Sequence, residues 1–221
     1  MPDDSGGLPT VSPPFDERTS EGSRARRKRP RVAGVLLAAG TSSRFGDRNK
    51  LLATHGGEPI VRRAARALLD AGLDPVVVVV GHEAERVADA LDGLDVRFAA
   101  NDAYETGQAS SVRAGIEALR ETEQRVDATV IALGDMPFVS PETVETLVSA
   151  YEAGVGDALA AAYEGERGNP VLFDRRHFAA LCDVDGDVGG REILLEGDAS
   201  ACVAVPDPGV RRDVDEPADL G

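Results

Sequence analysis

Short apolar runs alternate with stretches of helical periodicity from Val32 onward. Continuous apolar runs predict strands buried on both faces, and apolar positions spaced three to four residues apart predict helices. The predicted strands cover residues 32–39, 76–80, 96–99, 128–133, 158–162, 170–173 and 201–205. The predicted helices cover residues 59–71, 83–91 and 106–120, and a fourth begins with Ser140 as N-cap and Pro141 at its first position.

This alternation predicts an α/β fold, with a doubly wound, mainly parallel sheet in a three-layer α/β/α arrangement. Ligands on such sheets bind beyond the carboxyl ends of the strands, so the residues that follow each strand are the candidates for function. Residues 1–31 differ, because they are rich in Pro, Gly, Ser and charge and include the basic stretch 24–31. We expect them to form a disordered tail, and residues 32–221 to form a single domain.

The 221 residues carry 39 acidic and 24 basic side chains, a net charge of −15, which argues against nucleic-acid binding. Two cysteines without CxxC spacing exclude a disulfide framework and a cysteine zinc site. No apolar run reaches the length of a membrane span and no signal peptide is visible, so we expect a cytoplasmic protein without membrane contact.

Lysine is rare in this chain, since Lys28 and Lys50 are the two among 24 basic residues. High acidity with little lysine predicts a halophilic protein, and GC-rich codon bias is the alternative explanation. The same rarity draws attention to Lys50, because a compact ammonium in place of a guanidinium suits a specific phosphate contact.

The turn after the first strand is built from small and hydroxyl-bearing residues, followed by Arg44 and Lys50. Backbone N–H groups in such a turn can approach an anion closely, and the two cations can neutralise phosphate charge. The turn is neither a Walker A motif nor a GxGxxG motif. The spacing of these residues alone favours neither a phosphate-binding turn nor an ordinary strand-to-helix loop.

Six blocks in order resemble the nucleotidyltransferase family that includes the molybdenum cofactor nucleotidyltransferases. They are LAAGTSSRFG at 37–46, NDAYETGQASSVRAG at 101–115, GDMP at 134–137, RGNPVLF at 167–173, GDVGGR at 186–191 and DVDEPAD at 213–219. Residues 38–40 read Ala-Ala-Gly, which is similar to the CTP-dependent type, whereas the GTP-dependent type carries Gly-Gly there. Asn169 departs from the His that the family often has.

The resemblance implies a site with four kinds of residue: catalytic, metal-binding, nucleotide-binding and acceptor-binding. Arg44, Lys50 and Asp135 would be catalytic, and Asp135 and Asp215 would hold Mg²⁺, a cation that prefers oxygen ligands. Asp213 and Asp219 would cap and position the terminal segment. The nucleotide-binding residues would be Leu37, Ala38, Ala39, Gly40, Thr41, Ser42, Ser43, Arg44, Lys50, Gly81, Asn101, Gly107, Gln108, Ser110, Ser111 and Asp135. The acceptor-binding residues would be Arg167, Asn169, Pro170, Asp187, Gly189 and Arg191.

The function that this resemblance implies is transfer of CMP from CTP to the terminal phosphate of molybdopterin, with release of pyrophosphate and a molybdoenzyme as a further partner. Transfer of GMP from GTP, or transfer to another phosphorylated small molecule, is the alternative within the enzyme class. A non-catalytic carrier that binds nucleotide and delivers cofactor is the alternative outside it. A small oxidoreductase of similar fold is disfavoured, because no dinucleotide fingerprint is present.

Overall fold

The computed structural model describes residues 7–15, 29–41, 45, 49–123, 125–183, 186 and 190–220. The strands are β1 (Thr10–Val11), β2 (Val32–Ala38), β3 (Thr54–His55), β4 (Glu58–Pro59), β5 (Val76–Val80), β6 (Arg97–Ala100), β7 (Ala128–Leu133), β8 (Ala158–Tyr163), β9 (Glu166–Asp174) and β10 (Ser200–Ala204). The α-helices are α1 (Ile60–Asp70), α2 (Ala84–Ala90), α3 (Gln108–Arg120), α4 (Pro141–Glu152), α5 (Phe178–Asp183) and α6 (Arg191–Glu196).

One eight-stranded sheet runs through the molecule in the order β1-β10-β8-β9-β7-β2-β5-β6. Among the described strands of this sheet, β9 alone is antiparallel, and it pairs with β7 on one side and β8 on the other. The short β3 and β4 form a separate antiparallel hairpin. The mainly parallel, doubly wound sheet predicted from the sequence is therefore confirmed.

The sheet is buried on both faces where its strands form continuous runs without charged or polar side chains, as in β2 and β5. All seven residues of β2 and all five valines of β5 are buried. Alternate residues feed two cores: Leu36 packs on the side of α1, α2 and α4, and Val35 packs on the side of α3, α5 and α6. Two helical layers around one sheet give the α/β/α arrangement.

The boundaries of β5, β7 and α4 follow the local signals that predicted them, whereas β9 spans Glu166–Asp174 and not only the predicted residues 170–173. Strands β5 and β7 begin and end where the apolar runs do. Helix α4 begins after Ser140, whose Oγ accepts a hydrogen bond from the Thr143 amide at 3.3 Å. Helices α5 and α6 and the β3–β4 hairpin, each of six residues or fewer per element, were not predicted.

The N-terminal segment is ordered in one place where the sequence predicts disorder. Thr10 and Val11 form β1, which pairs in parallel with Cys202 and Val203 at the edge of the sheet. An edge strand presents unpaired backbone groups, and a proline-flanked extended segment can satisfy them. The prediction for residues 1–31 is too broad at this point, and residues 1–6 and 16–28 lie outside the described part.

Neighbouring strands bring three loops together at the carboxyl edge of the sheet. The amide of Gly134, after β7, donates to the carbonyl of Leu37 in β2 at 2.9 Å. The amide of His82, after β5, donates to the carbonyl of Ala39 at 3.1 Å. In the residues that the structure describes, no helix is long and apolar enough to span a membrane.

Candidate active site

An open cleft of about 760 Å³ lies at the carboxyl edge of β2 and β7. It is lined by Leu37, Ala38, Ala39, Gly40, Thr41, Lys50, Leu51, Tyr104, Glu105, Gly107, Gln108, Ser111, Leu133 and Asp135. Most residues predicted to bind nucleotide are therefore gathered around one space. Ser42, Ser43 and Arg44, which were predicted to join them, lie outside the described residues.

Two glycines near this cleft, Gly40 and Gly81, have different structural roles. A Cβ at Gly40 would meet no atom of the described residues within 4 Å, which leaves the backbone there open to a ligand on that side. A Cβ at Gly81 would approach within 2.9 Å of both Ala39 and Tyr104. Gly81, predicted to bind nucleotide, therefore serves in the structure to let Tyr104 pack close to Ala39, and it does not line the cleft.

Lys50 bridges two carboxylates at the end of the cleft. Its ammonium donates to Asp135 Oδ2 at 2.7 Å and to Asp215 Oδ1 at 2.9 Å. The Asn49 side chain, which accepts from the Leu51 amide at 3.0 Å, caps the short 3₁₀ turn that begins at Lys50. Burial lowers the pKa of Lys50, but the charges and hydrogen bonds of Asp135 and Asp215 outweigh it, and the pKa lies above its ordinary value. The lysine is therefore held charged.

A third carboxylate, that of Asp213, joins Asp135 and Asp215. One oxygen from each of the three lies within 4.8 Å of the others. Asp135 Oδ1 is buried and has no hydrogen-bond partner among the described residues. A buried carboxylate oxygen without a donor, beside two further carboxylates, fits a hard divalent cation such as Mg²⁺. The expectation that Asp213 would only cap its own segment differs from this arrangement.

The terminal segment is fixed so that its carboxylates reach the cleft. The Val214 amide donates to the carbonyl of Asp135 at 2.8 Å, and Val214 is fully buried. Asp219 accepts from the amides of Asp215 and Glu216 at 2.9 and 2.7 Å, and these bonds lower its pKa. The expectation that Asp219 positions this segment is confirmed by these bonds.

Asn101 was predicted to contact the base of the nucleotide, whereas its side chain forms hydrogen bonds within the protein. Its Nδ2 donates to Ser110 Oγ and Ser111 Oγ, both at 2.9 Å, and its Oδ1 accepts from the Ala103 amide at 3.0 Å. The residue is 6% exposed. Asn101 thus ties the loop before α3 to the first turn of α3, and Ser111 carries the contact to the cleft.

Replacing Asn101 with Ala should destabilise the protein by about 2 kcal/mol, because three hydrogen bonds are lost and the Ala103 amide is left unpaired. We also expect the KM for the nucleotide to rise more than kcat falls, since the start of α3 loosens at the cleft wall. Chemical denaturation and steady-state kinetics measure the two effects. An unchanged KM in a variant with the expected loss of stability would contradict the link to the cleft.

A second cavity, of about 260 Å³, adjoins the cleft and shares Gln108 and Leu133 with it. Arg167, Asn169 and Arg191, predicted to bind the acceptor, line it together with apolar side chains that include Phe173. The remaining lining residues are Val112, Ile131, Gly168, Val171, Gly190 and Leu194. Pro170 instead lines a small apolar space shared with Asn169. Asp187 and Gly189 lie outside the described residues.

Sequence reasoning missed Tyr104, Glu105, Leu51 and Asp213. A sequence signal was available for one of them. Tyr104 is one of three tyrosines in a chain with 4% aromatic residues. Asp213 gave none, because a single aspartate does not stand out among 39 acidic residues.

The sheet order, and a cleft with a cluster of three carboxylates at its carboxyl edge, are those of an α/β enzyme of the nucleotidyltransferase type. Residues 34–201 match the model of the MobA-like NTP transferase domain, and the chain belongs to that family.

Three relatives illustrate the range of that family. The chain is 32% identical to the nicotine blue oxidoreductase of Paenarthrobacter nicotinovorans, over 76% of this chain and 83% of the relative. It is 37% identical to a probable molybdenum cofactor guanylyltransferase of Natronomonas pharaonis, over 52% of this chain and 54% of the relative. The structure of Rv0371c from Mycobacterium tuberculosis H37Rv matches with a TM-score of 0.75 at 27% identity, over 87% of this chain and 96% of that one. A second structure of Rv0371c is a complex with manganese.

Proposed function

We propose that this enzyme transfers CMP from CTP to the terminal phosphate of molybdopterin, or of its molybdenum-loaded form, and releases pyrophosphate. The observation that carries the proposal is the contact of Lys50 with Asp135 and Asp215 in a cleft at the carboxyl edge of the sheet. A phosphate-binding cation and a set of carboxylates for a divalent cation are the two elements that nucleotidyl transfer needs.

The attacking group is a phosphate oxygen that is anionic near neutral pH, so the reaction needs no strong protein base. Catalysis then consists of in-line positioning and of neutralising charge on the leaving pyrophosphate. Lys50 and Arg44 would stabilise that charge, and backbone N–H groups of residues 39–43 would hold the phosphates. Asp135, Asp213 and Asp215 would hold Mg²⁺, which when bound supplies positive charge at the reacting phosphate.

The acceptor would occupy the cavity lined by Arg167, Asn169 and Arg191. Two guanidinium groups suit a phosphorylated molecule, and the apolar floor around Phe173 suits a flat ring system. Because this cavity adjoins the cleft through Gln108 and Leu133, an acceptor phosphate there would lie next to the nucleotide.

GTP is the second candidate donor. The Ala-Ala-Gly segment at 38–40 favours CTP, whereas the Natronomonas pharaonis relative carries the name of a guanylyltransferase. The test is a panel of CTP, GTP, ATP and UTP with molybdopterin and Mg²⁺, followed by pyrophosphate release. We expect the highest kcat/KM with CTP. A preference for GTP would reassign the donor, and no release with any of the four would overturn the proposal.

Two functions of other classes, an oxidoreductase and a non-catalytic carrier, can be tested with the same purified protein. The name of the Paenarthrobacter nicotinovorans relative raises an oxidoreductase, for which this sequence has no dinucleotide fingerprint. A carrier would bind CTP without turnover. Consumption of NADH or NADPH with a dye substrate would favour the first alternative, and tight CTP binding without Mg²⁺-dependent turnover would favour the second.

Adaptation to high salt remains a prediction of the acidic, lysine-poor composition, as does a cytoplasmic location. If the protein is halophilic, its melting temperature should rise steadily between 0.1 M and about 2 M KCl, because salt screens the repulsion among its acidic groups. Thermal unfolding at several KCl concentrations measures this. Maximal stability at low salt would leave codon bias as the explanation.

A further inference from the structure

The ammonium of Lys50 occupies a position where a metal ion would be expected to bind. It touches Asp135 and Asp215, two of the three carboxylates in the cluster that fits a divalent cation. The side chains of Lys50, Asp135 and Asp215 are 16%, 21% and 28% exposed, so water screens these contacts only in part. The lysine therefore already neutralises part of the negative charge in the cluster.

The ammonium and a divalent cation compete for the same two carboxylate groups, those of Asp135 and Asp215. The hydrogen bonds from Lys50 engage Asp135 Oδ2 and Asp215 Oδ1, each within 2.9 Å. Mg²⁺ needs oxygen ligands at about 2.0–2.1 Å, and a second positive charge so close to the ammonium is repelled. The cluster therefore binds a divalent cation more weakly while Lys50 keeps both contacts.

We propose that Lys50 is a resident counter-cation of the carboxylate cluster, which the phosphates of the nucleotide draw away as the divalent cation enters. Phosphate then takes the lysine while the carboxylates take the metal. Nucleotide and metal bind cooperatively as a result. The metal releases Lys50 from the carboxylates for the phosphates, and the phosphates draw Lys50 away from the carboxylates that bind the metal. The part of this proposal that concerns nucleotide rests on the proposed function, whereas the competition between Lys50 and metal does not.

The charges in the cluster explain why the exchange is favourable. Among the described residues, Lys50 contacts two of the three carboxylates, and Asp135 Oδ1 is buried with no hydrogen-bond partner. Lys50 therefore bridges Asp135 and Asp215 but leaves this buried oxygen without a donor in the described part of the chain. A divalent cation supplies positive charge at Asp135 Oδ1, and the lysine can then contact a nucleotide phosphate.

Binding of Mn²⁺ alone, without nucleotide, tests the competition. Mn²⁺ titrations of the full chain, followed by electron paramagnetic resonance, compare the wild type with Lys50→Met. We expect the variant to bind Mn²⁺ about tenfold more tightly, within the usual range of coupling between two ligands. Equal or weaker Mn²⁺ binding by a folded Lys50→Met variant would overturn the proposal.

Two control variants separate competition from a general change of charge. Lys50→Arg keeps the positive charge and should bind Mn²⁺ as weakly as the wild type. Arg212→Met removes the positive charge of the residue that precedes Asp213 in sequence, whose side chain stacks on the Phe138 ring at 4.1 Å. Its Mn²⁺ affinity should stay within about threefold of the wild type. A gain in Arg212→Met as large as in Lys50→Met would contradict a specific role for Lys50.

Crystal structures of the wild type keep the proposal testable if Lys50→Met does not fold. Crystals are grown with Mn²⁺ alone and with Mn²⁺ plus a non-hydrolysable CTP analogue. Structures in which Lys50 loses its contacts to Asp135 and Asp215 wherever Mn²⁺ is bound support the proposal. Mn²⁺ bound by the cluster while Lys50 keeps both contacts overturns it.

The counter-cation role of Lys50 and the proposed function can be overturned independently of one another. Tighter Mn²⁺ binding by Lys50→Met, in a protein that turns over no nucleoside triphosphate, would retain the competition and overturn the nucleotidyl transfer. Normal CTP turnover by the wild type, with unchanged Mn²⁺ affinity in Lys50→Met, would retain the transfer and overturn the counter-cation role.

Discussion

Replacing Asp135 with Asn should lower the rate of nucleotidyl transfer by about 10³-fold, because one charged oxygen ligand of the cation site is lost at the reacting phosphate. The fold should persist, since the Asp135 side chain is 21% exposed and follows the end of β7, outside both cores. Steady-state kinetics with saturating CTP and Mg²⁺, alongside thermal unfolding, measures the two quantities.

The matched control for this variant is Asp102→Asn, which neutralises an exposed carboxylate outside the cluster. Its turnover should stay within about twofold of the wild type, since exposed charges away from the reacting groups are screened. A turnover of Asp135→Asn close to that of this control would remove Asp135 from the mechanism.

Replacing Lys50 with Ala should lower kcat by about 10²–10³-fold, because the charge on the leaving pyrophosphate loses a preorganised cation. The loss should appear with every donor nucleotide, since the contact is to phosphate and not to the base. Rates of pyrophosphate release with CTP and GTP measure it. If the counter-cation role is also correct, the same position shows weaker catalysis together with tighter binding of metal alone.

Arg66→Ala is the control for the lysine variant, because it removes an exposed cation that pairs with Glu58 on the surface of α1. Surface ion pairs contribute about 0–1 kcal/mol, so its kinetics should match the wild type. Should Lys50→Ala keep near-normal kcat under saturating conditions, the ammonium has no role at the leaving group.

The fold could be predicted from the sequence where burial leaves a continuous pattern. The five valines of β5 and the apolar run of β7 are buried between two helical layers, so their bounds are visible as runs of apolar residues. Strand β1 could not be predicted, because two residues without apolar periodicity gain their structure by pairing with Cys202 and Val203. Pairing partners that are distant in sequence leave no local signal.

In the site, too, some residues could be predicted from local sequence, and others depend on contacts that are distant in sequence. Lys50 was predicted from the rarity of lysine and from the family resemblance, and the structure places it at the cleft. Asp213 was undervalued, since among 39 acidic residues a single aspartate carries no signal of its own. Asn101 was assigned to the base because it follows a strand, whereas its bonds to Ser110 and Ser111 depend on where α3 begins. Contacts that depend on how elements pack against one another cannot be predicted from the local sequence.

Transfer of label from [α-³²P]CTP to molybdopterin is the most direct test of the proposed nucleotidyl transfer. We expect radioactive CMP to become attached to the acceptor, one pyrophosphate to be released for each acceptor labelled, and omission of the divalent cation or of molybdopterin to abolish both. Label that remains in CTP, with CTP bound in the cleft and Mg²⁺ and molybdopterin present, would contradict nucleotidyl transfer to this acceptor.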